Sequence, residues 1–160
     1  MIIRAEQSDD RVAIHALVAE AFGRPQEALL VDALRRAGDL TISRVAEIVG
    51  EVCGHVALSR LKSPERALAL APVAVAAPRR RQGIGAALIR DGLREAERLG
   101  LAMVFVLGNP AYYSHMGFSV DAAASFPCRY SGPYFMALRL TGGAIAPATV
   151  AFADAFDTLD

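Results

Sequence analysis

The sequence predicts a single α/β domain in which helices flank a central sheet, and three observations support this prediction. The chain has 160 residues, of which 54% are hydrophobic, so one domain can bury a substantial core. Apolar runs typical of strands alternate with runs that have the spacing of amphipathic helices. The clearest alternation is an apolar strand, a basic glycine-containing turn and a helix over residues 73–89. With no internal repeat and no linker-like segment, we expect one domain over residues 1–160.

Charge and cysteine content restrict the class of partner. The 17 basic and 17 acidic residues give a formal net charge of zero, which predicts neither nucleic-acid nor membrane binding. Cys53 and Cys128 form no CxxC pair, so we expect no disulfide framework and no metal site, and interpret both as packing residues. The chain shows neither a signal-type apolar core nor a membrane-spanning run. These features predict a soluble, cytoplasmic protein.

The first part of the chain predicts a short strand and two helices. Residues 2–4 have an apolar strand pattern, and residues 8–10 supply capping residues for a helix. That helix ends near Phe22, because a glycine and a proline soon interrupt its spacing. The proline, Pro25, favours the start of a second helix, which runs to Gly38.

Three strands are predicted next, and the third is unusual. Residues 40–48 and 52–59 alternate like a hairpin that turns at residues 49–51. A polar loop then leads into an alanine-rich run at 67–77, which is too short to span a membrane and is predicted to be a strand. Pro72 lies inside this run, although a proline cannot donate a hydrogen bond to a neighbouring strand. We therefore expect this strand to be irregular.

The second half predicts one long helix and two further strands. Residues 83–99 have the strongest helical spacing in the chain. The apolar run 101–107 predicts a strand that is buried on both faces. Residues 110–115 favour one or two helical turns, and residues 134–140 predict a last strand. The weak periodicity of residues 142–160 predicts no regular structure there.

The turn before the long helix has the composition of an anion-binding loop. Backbone N–H groups at a helix start lack partners and attract phosphate oxygens. Gly83 and Gly85 let the backbone approach a ligand closely, and Arg79, Arg80 and Arg81 can neutralise phosphates. The strand–helix–strand arrangement places this turn at the carboxyl end of a sheet strand, where α/β proteins bind ligands. The turn therefore predicts a nucleotide-type cofactor site, and the alternative is a solvated basic loop that only caps the helix.

Two other phosphate-binding motifs are excluded. A Walker-type loop requires a lysine and a serine or threonine after the second glycine, where Ala86 and Ala87 stand. The dinucleotide fingerprint G-x-G-x-x-G requires a third glycine at the position of Leu88.

Two motifs resemble those of the GNAT superfamily of N-acetyltransferases, which use acetyl-CoA. The first is Arg80-Arg81-Gln82-Gly83-Ile84-Gly85, which matches the pattern Q/R-x-x-G-x-G/A between an apolar strand and a long helix. The second is Tyr113-Ser114-His115-Met116-Gly117-Phe118, which resembles the pattern Y-x-x-x-G-F. The run Gly108-Asn109-Pro110-Ala111-Tyr112-Tyr113 further resembles a bacterial subgroup of predicted acetyltransferases. Two motifs in this order are more specific than either one alone.

The resemblance implies a GNAT-like fold with a mixed, mostly antiparallel central sheet flanked by helices. In this family the strand equivalent to 67–77 carries a bulge where strands splay to admit the cofactor, and Pro72 fits that bulge. The implied activity is direct transfer of an acetyl group from acetyl-CoA to a primary amine while both are bound. The acceptor, a small molecule or a peptide, and the existence of a homodimer stay open. The alternative function is a non-catalytic acyl-CoA-binding or sensing module.

The resemblance also implies which residues bind the cofactor. Backbone groups on the strand would pair with the pantetheine arm, loop N–H groups would wrap the pyrophosphate, and Arg79 or Arg80 would reach the outer phosphates. Asn109 is either a polar contact to the cofactor or a plain turn residue, and Tyr112 packs or contacts the cofactor. The implied cofactor-binding residues are Val73, Ala74, Val75, Arg80, Arg81, Gln82, Gly83, Ile84, Gly85, Ala86, Asn109 and Tyr112.

Tyr113 matches the position that donates a proton to the departing CoA thiolate in many relatives. An unperturbed phenol, with a pKa of about 10, is protonated at neutral pH and can act as this acid. The alternative is that Tyr113 only wedges a short helix against the core. By the same resemblance, a backbone N–H of residues 73–75 stabilises the oxyanion.

The general base is not assigned. Many relatives carry a glutamate within the cofactor strand, but residues 67–77 contain no acidic residue. His55, which should share a strand face with Cys53, is one candidate base, and a hydrogen-bonded core histidine is the simpler interpretation. Glu27 is another, for which a solvated surface carboxylate is simpler, and the amine could also arrive deprotonated. Phe22 and Glu27 are expected to line the acceptor site.

Overall fold

The computed structural model describes residues 1–159, and most of its elements agree with the sequence-based prediction. The strands form one six-stranded sheet in the order β1-β2-β3-β4-β5-β6. Only β4 and β5 are parallel neighbours, so the predicted mixed, mostly antiparallel sheet is confirmed. The strands are β1 Ile2–Ala5, β2 Leu40–Ile48, β3 Glu51–Arg60, β4 Ala67–Val75, β5 Met103–Leu107 and β6 Phe135–Arg139. The helices are α1 Arg11–Phe22, α2 Gln26–Ala37, α3 Ile84–Arg98, α4 Pro110–Tyr113 and α5 Val120–Ala123.

Helices cover both faces of the sheet. On one face, Ile14 and Val18 of α1 pack against Ala74 of β4, because their helical spacing presents an apolar stripe to the sheet. On the other face, Leu88 and Ile89 of α3 pack into a separate cluster with β4 and β5. We call these the α1/α2 face and the α3 face. Within residues 1–159, no helix has the length and apolarity needed to cross a bilayer.

A bulge interrupts β4 at Pro72. Between the pairs Val56↔Val73 and Leu58↔Leu70, β4 contains one residue more than β3, which defines a β-bulge. A proline is tolerated there because the bulge relieves it of a ladder hydrogen bond that it cannot donate. The alternation of side chains along β4 changes phase at this point, and the predicted irregularity is confirmed.

β4 and β5 separate just before the bulge. The two strands pair only from Ala67↔Met103 to Ala69↔Phe105. From there to their carboxyl ends, no pairing joins them within residues 1–159. The carboxyl ends of these parallel strands therefore border an open cleft, which confirms the predicted splay.

A second irregularity overturns one prediction, that Cys53 and His55 share a face. The register between β2 and β3 shifts between Ala46 and Glu47, opposite Cys53. Cys53 packs into the cluster on the α3 face, whereas His55 hydrogen-bonds to Ser43 on the α1/α2 side. The bulge separates two side chains that regular alternation would place together.

The C-terminal tail is more ordered than the sequence predicts. Val150, Ala153 and Phe156 are buried in the same cluster as Phe105. A short 3₁₀ helix spans Asp154–Leu159, and only the last residue of the predicted irregular tail lies outside the described part of the chain. Because individual side chains anchor the tail, its sequence shows no helical or strand periodicity from which this order could be predicted. The short helix α5 is also absent from the prediction.

Candidate active site

The loop between β4 and α3 forms a cradle of unused backbone donors. Arg81 and Gly83 have positive φ angles, which glycine adopts without strain. Apart from its neighbours along the chain, no atom lies within 4 Å of the position of a Cβ on Gly83, so backbone conformation rather than space favours glycine there. The N–H groups of residues 84–86 have no acceptor within residues 1–159, and Gly83 provides no side-chain cap. Such a helix start binds anions.

Gly85 brings the loop, β4 and α4 together. A Cβ on Gly85 would lie 3.3 Å from Tyr112 Oη, 3.6 Å from Val75 Cγ2 and 4.0 Å from Val73 Cγ1. The side chains of Val73 and Val75 therefore lie on the α3 face, beside the first turn of α3. Residues from three separate segments, all predicted to bind the cofactor, meet here.

Two further predicted loop residues hold the loop in place. Gln82 Nε2 donates a hydrogen bond to Pro78 O at 3.5 Å, across the loop. Ile84 is buried in the cluster on the α3 face and anchors the start of the helix. Because these two side chains are engaged within the protein, the loop can contact a ligand through its backbone.

The backbone of β4 divides its hydrogen-bonding groups between β3 and the cleft. Ala76 N–H donates to Cys53 O at 2.8 Å, and the register makes these two residues a hydrogen-bonded pair. Antiparallel strands alternate bonded and non-bonded pairs, so Ala74 is also bonded to β3. The N–H and C=O groups of Val73 and Val75 therefore point away from β3, to the side that β5 leaves unpaired.

This alternation separates Ala74 from Val73 and Val75. Its backbone groups are used within the sheet by pairing with His55, so they are not free for a cofactor. Val73 and Val75 keep the orientation that the prediction requires.

Arg80 lies back over β4 instead of extending outward. Its Nε donates to Val75 O at 3.1 Å, and its Nη2 donates to Ala21 O at 3.4 Å. The guanidinium joins the end of β4 to the end of α1, so the expected reach to outer phosphates is not seen for Arg80. The side chains of Arg79 and Arg81 form no hydrogen bond within residues 1–159 and remain available for an anion.

Tyr113 is half-buried against the backbone of Gly108. A Cβ on Gly108 would lie 2.5 Å from Tyr113 Cε2, so only glycine fits there. The ring makes edge contacts with Tyr112 and Phe118, with centroids 5.0 Å and 5.7 Å away. Burial raises the pKa of Tyr113 to about 12 and also raises the pKa of Tyr112. Both phenols are therefore protonated at neutral pH.

Asn109 has the turn role that the sequence left open. Its Oδ1 accepts a hydrogen bond from Ala111 N–H at 2.9 Å, which caps α4. Its amide nitrogen forms no hydrogen bond within residues 1–159. A contact to the cofactor would therefore use that nitrogen.

Glu27 is not the solvated carboxylate that the sequence suggested. It is 6% exposed, on the buried side of α2, and accepts hydrogen bonds from Arg24 Nε at 2.8 Å and from Arg24 Nη2. These hydrogen bonds lower the pKa of the Glu27 carboxyl. Glu27 is thus ionised, neutralised by Arg24 and a weak base. Phe22, at the end of α1, is 41% exposed.

His55 is a hydrogen-bonded core histidine. Its Nε2 lies 2.8 Å from Ser43 Oγ, which donates to Glu6 Oε1 at 2.6 Å. Because the single hydroxyl proton goes to Glu6, His55 Nε2 must donate to Ser43. Burial lowers the pKa of His55 to about 4, so the ring is neutral. These contacts favour a structural role over that of a general base.

Sequence reasoning missed Gln26, the first residue of α2. Its Oε1 is buried and has no hydrogen-bond partner within residues 1–159. Its spacing could have revealed it. Gln26 lies four residues before the buried Leu30, so it is a polar residue on the apolar stripe of α2.

Comparisons with known proteins agree with this geometry. The model of the acetyltransferase (GNAT) family matches residues 7–118. The uncharacterized N-acetyltransferase YhbS of Escherichia coli (strain K12) is 38% identical over 136 residues, which cover 82% of this chain and 81% of the relative. The crystal structure of YhbS from Escherichia coli in complex with CoA has 33% identity and a TM-score of 0.89, covering 98% of this chain and 91% of that chain. A GNAT family acetyltransferase from Brucella melitensis, in complex with acetyl-CoA, has 34% identity and a TM-score of 0.84, covering 98% and 97%. This chain therefore belongs to the acetyltransferase (GNAT) family.

Proposed function

We propose that this protein transfers the acetyl group of acetyl-CoA to the nitrogen of a primary amine, on a small molecule or a peptide, while both are bound. The observation that carries this proposal is the cleft between β4 and β5. It has unused N–H groups of residues 84–86 at one end and outward backbone groups of Val73 and Val75 along its side. The relatives that bind CoA and acetyl-CoA support the choice of donor.

The loop and β4 bind different parts of acetyl-CoA. The N–H groups from Arg81 to Ala86 hold the pyrophosphate, with Arg79 and Arg81 as counter-charges. The pantetheine arm pairs with Val73 and Val75 as a strand would. Val75 O already accepts from Arg80, but a carbonyl oxygen has two lone pairs and can accept a second hydrogen bond.

The reaction is a direct acyl transfer. The amine lone pair attacks the thioester carbonyl carbon, a C–N bond forms, and the carbonyl oxygen becomes an oxyanion. The outward N–H of Val73 is the donor proposed for that oxyanion. The C–S bond then breaks, the nitrogen loses a proton to water, and the thiolate gains one.

Tyr113 is the acid proposed for the departing thiolate. Its pKa of about 12 keeps the phenol protonated wherever an amine is nucleophilic. A thiol has a pKa of about 8.5, so the phenol holds its proton more tightly than the thiol does. Hydrogen-bond donation to the developing thiolate is therefore its main contribution, and the proton follows through exchange with water.

The test begins with calorimetric titration of the protein with acetyl-CoA, using NADH and ATP as controls. We expect acetyl-CoA alone to bind, and we expect thiol release to depend on an added amine. Failure to bind acetyl-CoA would contradict the proposal. Binding without thiol release from any amine would instead favour the alternative, a non-catalytic acyl-CoA-binding module.

A further inference from the structure

β4 and β5 are unpaired towards their carboxyl ends, and the proposed donor site lies on one face of this gap. The side chains of Val73 and Val75 lie beside Gly85, so the anion cradle belongs to the α3 face. An amine that attacks the thioester from the other side approaches from the α1/α2 face. The first turn of α2 lies on this face, where Ala28 belongs to the same cluster as Ala74.

The start of α2 lies at the carboxyl end of β4. At the far end of α2, Asp39 O accepts a hydrogen bond at 2.8 Å from Arg60 N–H, and Arg60 pairs with the beginning of β4. At the near end, Arg80 holds the end of α1 to the last residue of β4 through Ala21 O. These contacts indicate that α2 runs antiparallel to β4, from which we infer that Gln26 is at the end of α2 nearer the splay.

Gln26 lies on the buried stripe of α2. Leu30 and Leu34 follow at intervals of four residues and belong to the cluster that contains Ala69 and Phe105. Gln26 Oε1 is buried at the top of this stripe without a donor. A buried acceptor without a donor lowers stability, unless a ligand supplies the missing hydrogen bond.

The charges around Gln26 favour a neutral ligand nitrogen. Arg24 neutralises Glu27, the next residue along α2. β4, β5 and α4 contain no acidic residue, and Glu20 on α1 is exposed to water. The 3₁₀ helix Asp154–Leu159 packs against α2, and its exposed Asp154 and Asp157 form ion pairs with Lys62 and Arg129. Asp32, on α2 itself, pairs with His15 and Arg35. These elements therefore offer no unpaired, buried carboxylate that could stabilise an ammonium group or remove its proton.

We infer that Gln26 Oε1 accepts a hydrogen bond from the attacking amine, and that the acceptor is an amine of low basicity, such as the α-amino group of a peptide or an amino-acid amide. This inference rests on the proposed function. An amide oxygen orients a neutral amine without a charge that would favour the ammonium form. An α-amino group has a pKa of about 7.7–8.0 against about 10.4 for lysine, so at pH 7.5 its neutral fraction is roughly 200-fold larger.

The test compares alaninamide with Nα-acetyl-lysinamide as acceptors. We expect kcat/KM for alaninamide to exceed that for the lysine derivative by roughly 100-fold at pH 7.5. Gln26→Met keeps the length of the side chain and removes its oxygen. This change should lower kcat/KM for alaninamide at least tenfold, leave the KM for acetyl-CoA unchanged and raise Tm, because an unpaired buried oxygen is lost.

Ser59→Ala is the matched control. Ser59 Oγ is also buried without a partner, but Ser59 pairs with Ala69, where β4 and β5 are still joined. Removing this oxygen should raise Tm without changing kcat/KM for alaninamide. A loss of activity equal to that of Gln26→Met would overturn the specific role of Gln26.

Further outcomes separate this inference from the proposed function. A Gln26→Met protein that acetylates alaninamide as fast as the parent overturns the inference alone. If Gln26→Met instead lowers Tm enough to account for its lost activity, a second variant is needed. In that case Gln26→Glu is the deciding variant. Its carboxylate should reduce the ratio of kcat/KM for alaninamide to kcat/KM for the lysine derivative, and an unchanged ratio overturns the contact between Gln26 and the amine. A parent that prefers the lysine derivative overturns the substrate class, and a parent that acetylates no amine overturns both proposals.

Discussion

The two faces of the sheet use different chemistry at the end of β4. On the α3 face, the cleft is bordered by backbone groups: the N–H groups of residues 84–86 and the outward groups of Val73 and Val75. On the α1/α2 face, side chains define the surroundings, with the Arg24–Glu27 ion pair next to Gln26. The backbone site requires only glycines and a strand geometry, so many sequences can build it. The side-chain site depends on individual side chains of this chain, and it is where we propose that the acceptor binds.

The largest expected effect tests the backbone face. Gly83→Asp places a carboxylate beside the N–H groups that are proposed to hold the pyrophosphate, so we expect the Kd for acetyl-CoA to rise about 100-fold, or ~2.7 kcal/mol. Titration calorimetry measures this change. Gly83→Asn is the control, because asparagine has the same shape without the charge and tolerates a positive φ. Equal affinities for the two variants would contradict the anion cradle.

The next effect concerns the two adjacent tyrosines. Tyr113→Phe should lower kcat about 100-fold with little change in the Kd for acetyl-CoA, because the thiolate loses its hydrogen-bond donor. Tyr112→Phe is the matched control, since its hydroxyl lies beside Gly85, near the cradle. For this variant we expect a change in cofactor affinity and a nearly normal kcat. The reverse pattern would assign the acid role to Tyr112.

The dependence of kcat/KM on pH tests both faces, because the amine is proposed to bind on the α1/α2 face and Tyr113 packs on the α3 face. Without a general base, kcat/KM for alaninamide should rise about tenfold per pH unit until the pKa of its amine, at about 8, is passed. Tyr113, with a pKa of about 12, loses its proton only at higher pH, so no descending limb should appear below pH 10. Initial rates between pH 6 and 10 measure this profile. A fall in that range, in protein that stays folded, would show that a group of lower pKa acts as the acid.

The smallest effect separates two uses of Asn109. Asn109→Ala removes the cap of α4 and should lower Tm by about 2–4 °C, whereas Asn109→Asp keeps the capping oxygen and should keep Tm. If the amide nitrogen contacts the cofactor, Asn109→Asp should still weaken acetyl-CoA binding severalfold. Thermal unfolding and titration of both variants measure the two effects. Unchanged binding by Asn109→Asp would leave Asn109 as a cap alone.

The same contrast explains what the sequence could predict. The glycine loop and the long helices depend on local residue types, so their positions could be predicted from spacing, whereas the bulge at Pro72 was implied by the family resemblance. The different roles of Ala74 and its two neighbours depend on the pairing register with β3. The alternation of side chains along a strand does not reveal which backbone groups point to which neighbouring strand. Glu27 and Gln26 depend on how α2 is rotated against β4 and β5. That rotation is set by packing with Phe105 and by a tail whose sequence shows no period.

The separation of β4 and β5 has a consequence for the fold itself. Two parallel strands that part before their ends leave an internal sheet edge, and the groups along such an edge depend on an added strand or on water for their hydrogen bonds. A pantetheine arm bound there, as proposed above, would complete the sheet, and the donor substrate would then also be a structural component. A ligand at 100 times its Kd stabilises the folded state by about 2.7 kcal/mol, provided that it binds only that state. The amount of folded protein in a cell would then follow its supply of acetyl-CoA.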